Sequence, residues 1–295
     1  MVDMHFHSIF SDGSESPERL AEMGAKLGLK GMVLTDHDTF AGTARFAAAA
    51  AERGIRTISG VELSLDFGKH ELHLLGYGFD PANPRMVDTL AEFQRSRKER
   101  TRKILDRLDA LGVPVTMEEV EQARRAMACG GDAPAAEGDN GEASIGRPHI
   151  AAALVARGYV PDVRAAFTRY LAHDAPAYVP RERLKPAEAV ALVHQAGGTP
   201  VIAHPKLIGL DWRQLRKFVG ELRDAGLAGL EAYHSGHDPV TTARILAIAR
   251  DLGLCCTGGS DFHGIHKPAI GIGAGYGGLR VPDECFDALY ERHRR

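Results

Sequence analysis

The sequence predicts an α/β protein in which repeated strand–helix units form a parallel barrel carrying a helical insertion. Three observations carry that reading. Short apolar runs alternate with amphipathic stretches through most of the chain, the grammar of a parallel sheet covered by helices. Polar and charged residues stand at the C-terminal ends of at least five of those runs, where a barrel gathers its working side chains. The first run leads into HFHSIFSDG, not into the Gly-x-Gly-x-x-Gly turn that a doubly wound dinucleotide fold requires.

Taken in order, Val2 to Phe6 is a brief opening strand. Pro17 starts a helix through ERLAEMGAKLG, and Gly28 suits its C-terminal stop. GMVLTDHD is a strand ending in charge, and a helix follows from about Thr39 to Arg53. IRTISGVELSLDF is a third strand, and the alternation in HELHLLGYGF makes it a hairpin partner across Gly68-Lys69. The same grammar returns late in the chain as PVIAHP, AGLEAY and LCCTGGSDFH. The helices before them span Pro186 to Ala196, Asp211 to Ala225 and Pro239 to Leu252. Between these halves the alternation breaks. Asp88 to Leu111 and Thr116 to Met127 are charged helices, GGDAPAAEGDNGEASIG is an aperiodic loop, and RPHIAAALVARG and VRAAFTRYL are helical again. The expected barrel domain is therefore 1–82 with 177–295, and the expected all-helical cap is 83–176.

Composition narrows the function. With 36 Lys+Arg against 39 Asp+Glu the formal charge is −3, and 44% of residues are hydrophobic. This excludes a disordered or fibrous chain and argues against a basic cradle, so no stable DNA complex is expected. The run RSRKERTRK lies among Glu92, Glu99 and Asp106 and reads as a solvated helix face. No run approaches the roughly 18 apolar residues of a membrane span, and the start lacks a signal-peptide pattern. A cytoplasmic protein without membrane or obligate protein partners is expected. Cys129, Cys255, Cys256 and Cys285 are too few and too irregular for a disulfide scaffold, and the adjacent pair reads as strand packing.

The unusual feature is the count of 14 histidines. His5 and His7 stand two apart at the end of the first strand and so share one side of it. Asp12 follows in the loop. Asp36 and His37 end the second strand, Glu62 ends the third, and His73 lies on the next. His204 ends PVIAHP, and Asp261 and His263 follow LCCTGGS. Each is a hard or borderline metal-ligand type on a strand end or its loop. Their recurrence separates them from incidental core histidines.

Together HFH at 5–7, TDHD at 35–38, His204 and SDFH at 260–263 resemble the PHP (polymerase and histidinol phosphatase) family of metal-dependent phosphoesterases. The resemblance implies a distorted (β/α)7 TIM-like barrel holding up to three divalent ions, usually manganese, with zinc or iron also accepted. It implies a first ion on His5, His7, Glu62 and Asp261. A second would sit on Glu62, His73 and His204, and a third on Asp12, His37 and His263. GRPHIA at 146–151 is similar to a bacterial branch that removes the 3′-phosphate of nucleoside 3′,5′-bisphosphates, with related 5′–3′ degradation of short RNA. A small nucleotide or short RNA is thus the expected substrate. Three divalent ions would outweigh three carboxylates by about three charges, so the site attracts a phosphate dianion whatever the overall charge. Such ions make a nucleophile from water; no Ser–His–Asp arrangement is needed, and no Gly-x-Ser-x-Gly elbow occurs.

Catalytic work is assigned to Glu62, Asp261 and His204. His234 is a phosphate contact or a donor to the leaving 3′-oxygen, and Asp36 and Asp38 orient ligating histidines. Arg147, beside Pro148 at a helix start, is expected to take the 5′-phosphate, Lys206 to add a point charge, and His237 to join His234. His194 is a weaker acid candidate; His70, His173, His266 and His293 have no assigned role. The rival is a histidinol-phosphate phosphatase or another small-molecule phosphomonoesterase, which the insertion and Arg147 disfavour. A proofreading exonuclease would accompany a polymerase, and an inactive metal-binding module would have lost ligands, whereas all nine positions are filled.

Overall fold

The apolar runs become strands and the amphipathic runs helices in the computed structural model, which describes residues 1–68, 70–128, 145–180 and 183–293. Cys129 and most of the GGDAPAAEGDNGEASIG segment lie outside them. The chain divides into two units, Met1–Leu90 with Arg183–Arg295, and Ala91–Glu182.

The strands are β1 (Val2–Asp3), β2 (Gly31–Met32), β3 (Gly60–Phe67), β4 (His70–Tyr77), β5 (Thr199–Ile202), β6 (Gly229–His234) and β7 (Cys255–Gly259). The helices are α1 (Pro17–Lys26), α2 (Thr43–Ala51), α3 (Pro84–Ala110), α4 (Met117–Ala128), α5 (Arg147–Ala156), α6 (Val163–Ala166), α7 (Pro186–Gln195), α8 (Trp212–Asp224), α9 (Pro239–Leu252) and α10 (Asp283–His293).

All the strands belong to the first unit. β1 and β2 pair in parallel, and β3 to β7 form a five-stranded sheet in sequence order. β3 and β4 are the expected hairpin, with Phe67 opposite His70 and Ser64 opposite His73. The β4–β5 pair is also antiparallel, and only β5–β6–β7 run parallel. The sheet is therefore mixed, not parallel throughout: the tight connection through Gly68 (φ +63°) is far too short for a parallel crossover. The ladders do not form a closed sheet. β7 reaches the first segment through the Phe6–Phe262 bridge and the Met4 N–H donating to the Gly258 carbonyl at 3.1 Å. The second segment reaches β3 through the His37–Glu62 bridge.

The helices of this unit begin and stop where local chemistry dictates. Ser16 accepts the Arg19 N–H at the start of α1, and Gly28 (φ +69°) lies just beyond its end. Asp238 accepts the Thr241 N–H at 2.7 Å to open α9. Phe6, Leu34, Phe46 and Ile272 close one apolar cluster; Met4, Tyr77, Val201 and Phe286 close another. Each such side chain, fully buried, contributes about 1.5–3 kcal/mol. This core is the rigid floor under the site.

In the second unit all described regular structure is helical. Ile104, Leu108, Val120, Ile150, Leu154 and Leu171 form its core, and a π-helical turn covers Phe167–Leu171. Arg95, Lys98, Arg102 and Lys103 are exposed on α3, whereas Arg97 and Arg100 are half-buried and Arg100 donates to the Val179 carbonyl at 2.7 Å, so part of the basic run is a solvated face. Among the described residues, no helix is long and apolar enough to cross a membrane.

Candidate metal centre

Buried carboxylates pull the strand ends together before any ligand is considered. Asp3, fully buried, accepts from Ser260 N–H (2.9 Å), Ser260 Oγ (2.6 Å), Gly273 N–H (2.7 Å) and His5 N–H (3.3 Å). It thereby ties the first segment to the loop after β7. The Asp261 N–H donates to the His5 carbonyl at 2.8 Å. So close an approach demands a glycine at position 259, where an added Cβ would stand 2.3 Å from the His5 nitrogen.

Glu62 lies at the centre. Its Oε2 is 3.1 Å from His5 Nε2, 3.2 Å from His7 Nε2 and 3.3 Å from His37 Nδ1. Its Oε1 faces the other way, 2.9 Å from His73 Nδ1 and 3.1 Å from His204 Nε2. Asp261 Oδ1 stands 3.3 Å from His7 Nε2 and 3.6 Å from His5 Nε2. Asp12 approaches His263 at 3.5 Å and His37 at 3.8 Å. Three overlapping groups result, each with its donor atoms within 4.8 Å of one another: His5, His7, Glu62 and Asp261; His7, Asp12, His37 and His263; and His37, Glu62 and His73. His7 thus reaches the Asp12 group as well, and His37 stands beside Glu62 and His73, where His204 was expected. His204 remains adjacent, its Nε2 3.3 Å from His73 Nδ1.

These residues fit divalent ions. Ligands about 2.0–2.2 Å from a four-coordinate ion stand roughly 3.3–3.6 Å apart, the spacing found here. His5 Nδ1 hydrogen-bonds Glu231 Oε1 at 2.9 Å, which directs its Nε2 into the cluster, where it faces His7 Nε2 at 3.3 Å. Asp12 Oδ1 and His37 Nδ1 are buried without a hydrogen-bond partner. Converging lone pairs with no proton between them are what a cation resolves. Mixed imidazole and carboxylate donors suit manganese, iron or zinc.

Without ions, protons perform that service. Burial opposes the charge on Glu62, but the imidazoles of His37, His5 and His73 hold its carboxyl well below the usual range. Asp12 and Asp261 are likewise opposed by burial and held well below theirs by neighbouring histidines. Burial alone would depress His7, yet its contacts with Asp261 and Glu62 raise it to about 9. For His37 burial prevails and lowers it to about 3.

Asp36 and Asp38 are buried carboxylates that brace the backbone beside the ligand candidates. Asp36 accepts from Ser8 N–H (2.7 Å), Ser8 Oγ (2.6 Å) and Ser11 Oγ (2.6 Å), so it shapes the loop bearing Asp12, and the same Ser11 Oγ stands 3.5 Å from His7 Nδ1. Asp38 accepts from Ser64 N–H and Ser64 Oγ, both at 2.9 Å. Neither orients an imidazole by direct contact in these bonds. Glu231 does so: besides His5 it accepts the His204 N–H at 2.6 Å. Among the described residues, the non-glycine positions with positive φ are Asp38 (54°), His204 (27°) and Asp261 (57°), all at this site. Such strain persists only where surrounding bonds over-determine it.

A cavity of about 150 Å³ opens over the cluster, lined by His37, Glu62, His73, His204, Leu207, Asp261 and Lys267. His234 Nε2 is buried, 3.6 Å from Asp261 Oδ2; its Nδ1 accepts the Gly236 N–H at 2.9 Å. His237 packs against His234 with ring centroids 5.2 Å apart and bonds the Ala232 carbonyl at 3.0 Å through Nδ1. Lys206 is exposed, its ammonium over the Trp212 ring at 5.1 Å, and it does not line this cavity. Arg147 opens α5 in the second unit, donates to the Leu171 carbonyl at 3.0 Å and stacks on Phe167 and Tyr178. His194 and His293 line a larger cavity, about 1230 Å³, beside Ser59, Gly78 and Thr199 at the opposite strand ends, and none of the nine ligand candidates lines it.

Sequence reasoning missed the roles of Asp3, Glu231 and Lys267. Asp3 carried a signal, since alternation puts it on the face of His5 and His7. Glu231 was legible only as a neighbour of His234 and His237 at a strand end, and Lys267 carried no signal, because their partners come from other segments.

Comparison with known proteins places this geometry in a family. The PHP domain family matches residues 3–123. A 3′,5′-nucleoside bisphosphate phosphatase of Chromobacterium violaceum is 34% identical over 89% of this chain and 87% of its own length. A 5′-3′ exoribonuclease of Haemophilus influenzae is 32% identical over 88% and 89% respectively. The solved structure of an amidohydrolase from Chromobacterium violaceum, with bound sulfate, superposes with a TM-score of 0.81 at 32% identity, covering 99% of this chain and 96% of that one. The chain belongs to the PHP-domain family, whose members are metal-dependent phosphoesterases.

Proposed function

We propose that this chain removes the 3′-phosphate from nucleoside 3′,5′-bisphosphates such as 3′,5′-adenosine bisphosphate, leaving a nucleoside 5′-monophosphate, with short RNA as a second substrate class. The observation that carries the reading is Glu62, whose two oxygens face separate imidazole sets beneath one small cavity. The names of the bacterial relatives supply the substrate class. The residues we assign to the ions are His5, His7, Asp12, His37, Glu62, His73, His204, Asp261 and His263, with manganese the first choice. Up to three ions bound there supply an acidified water and neutralise phosphoryl charge. We also read the two sheets as one distorted barrel, with Phe6–Phe262 and His37–Glu62 supporting its continuity.

The chain's own residues do the rest. At about 150 Å³ the cavity is smaller than the ~300 Å³ or more that a whole drug-sized ligand fills, so it takes the phosphoryl group and leaves the nucleoside outside. Asp3 and Glu231 hold His5 so that its Nε2 faces inward. Water attacks phosphorus, the bond from phosphorus to the 3′-oxygen breaks, and that oxygen takes a proton. His234 does not line this cavity, but its Nδ1 accepts from Gly236 and its Nε2 faces the cavity residue Asp261 at 3.6 Å, and we assign its Nε2 hydrogen to the departing 3′-oxygen. The test is phosphate release from 3′,5′-adenosine bisphosphate with added manganese, abolished by a chelator. Turnover of histidinol phosphate without turnover of the bisphosphate refutes the substrate assignment.

A further inference from the structure

The loop after β7 carries a cation that has no part in the ligand set. After His263 the chain turns through Gly264 (φ +66°), where an added Cβ would stand 1.8 Å from Ser14 Oγ. A single 3-10 turn, Gly264–His266, then delivers Lys267, whose N–H donates to the Gly264 carbonyl at 3.2 Å. The ammonium donates to Asp261 Oδ2 at 2.7 Å and lines the cavity with Glu62, His73 and His204. Its side chain is 41% exposed, so the charge stands at the mouth, between solvent and the cluster.

We propose that Lys267 is a phosphate-binding residue, donating to a nonbridging oxygen of the phosphoryl group that enters this cavity. This deepens the function proposed above and rests on it. An ammonium has three donors, and Asp261 takes one, which leaves two directed away from that carboxylate. Asp261 offers Oδ1 to His5 and His7, so its Oδ2 can keep the lysine in place while the other oxygen serves the cluster. With the lining imidazoles assigned to ions, a fixed ammonium supplies a hydrogen-bond donor for the phosphoryl oxygens. Lys206 has been turned onto Trp212 and is absent from this lining, so Lys267 holds the point charge that the phosphate requires. The competing role is simple compensation of the Asp261 charge.

Isothermal titration of manganese-loaded, full-length protein with inorganic phosphate separates the two. Lys267→Met is expected to weaken phosphate binding about tenfold to a hundredfold, the value of a charge-assisted hydrogen bond, while manganese affinity stays within threefold. Lys267→Arg restores most of the phosphate affinity. Unchanged phosphate affinity in Lys267→Met overturns the proposal, as does a loss that follows manganese affinity alone or the absence of phosphate binding by the manganese-loaded parent. Circular dichroism and the melting temperature verify that each variant is folded. Intact phosphate binding without turnover of any bisphosphate would refute the substrate reading and leave the lysine assignment standing.

Discussion

Replacing Glu231 by glutamine tests whether the buried carboxylates behind the ligands hold the centre in shape. Glu231 accepts from His5 Nδ1 at 2.9 Å and from the His204 N–H at 2.6 Å, one donor per oxygen. Burial opposes its charge, but His5 and His234 keep its carboxyl below the usual range, so a charged acceptor is lost on substitution. A glutamine amide has one acceptor oxygen and an NH2 group. One of the two donors must then face N–H hydrogens instead of an oxygen, in a site with no solvent access. A hydrogen bond to a charged group is worth about 1.5–3 kcal/mol, and a buried unpaired donor costs a further ~1–3 kcal/mol. Part of this falls on folding and part on the metal-ready geometry, because His204 holds a positive φ that its N–H bond to Glu231 supports. We expect Glu231→Gln to bind manganese about tenfold to a hundredfold more weakly, the range for partners that orient ligands. Calorimetric titration of chelator-treated protein measures it, with circular dichroism as the folding control. A folded variant with manganese affinity within threefold of the parent refutes the reasoning.

Further outcomes follow from the same geometry. His7 is raised to about 9, so at pH 7 the metal-free chain holds a proton on a residue that must be neutral to ligate. Manganese binding should therefore release protons and tighten as pH rises toward 9; an affinity flat between pH 6.5 and 9 contradicts this. The same raised value means that His7 stabilises the metal-free fold fully below its unfolded pKa of about 6.5, and that this contribution fades as pH climbs through about 9. Urea melts of chelated protein at pH 6 and pH 9.5 should differ in that direction. Gly259→Ala sets a Cβ 2.3 Å from the His5 nitrogen, and the required backbone shift should cost about 1–3 kcal/mol and loosen manganese binding. A melting temperature and manganese affinity equal to the parent's would contradict the close approach. Manganese at a hundredfold its dissociation constant should stabilise the fold by about 2.7 kcal/mol, visible as a rise in melting temperature that a chelator reverses.

The charge arithmetic of the site changes once the structure is considered. Counting only Asp12, Glu62 and Asp261 leaves three divalent ions with a surplus of about three charges. Glu231, Asp3, Asp36 and Asp38 are also buried there, and Lys267 adds one positive charge. Burial raises Asp3 and Asp36 from the ordinary carboxylate value, against the hydrogen bonds each accepts. Under the proposed function, attraction of a phosphate dianion would rest on ions and on Lys267 beside the cavity, not on a broad positive surplus.

Much of the site was legible in the sequence because ligand chemistry is local. His5 and His7 share a face by strand alternation, Asp261 and His263 recur two apart beyond another strand, and Pro239 and Gly253 bracket a helix. The hairpin partner His70 to Tyr77 was readable from alternation and the connection through Gly68, though the mixed direction of the sheet was not drawn from it. Asp36 was expected to orient a ligating histidine; its carboxylate binds Ser8 and Ser11, and Ser11 Oγ stands 3.5 Å from His7 Nδ1. Adjacency in sequence says nothing about which way a side chain at a strand end turns.

Sequence alone thus determined the family and the candidate ligand types, whereas Glu62 and His73 proved to lie within their strands and not at the ends. The tertiary structure decided which residues stand behind them. Glu231 meets His5 across 226 positions, and Lys267 reaches the cavity only because the loop after β7 folds back beside Asp3. Local periodicity tells which face a residue occupies, but the order and register of strands decide what that face meets. Those depend on which apolar surfaces pack together, a property of the whole core.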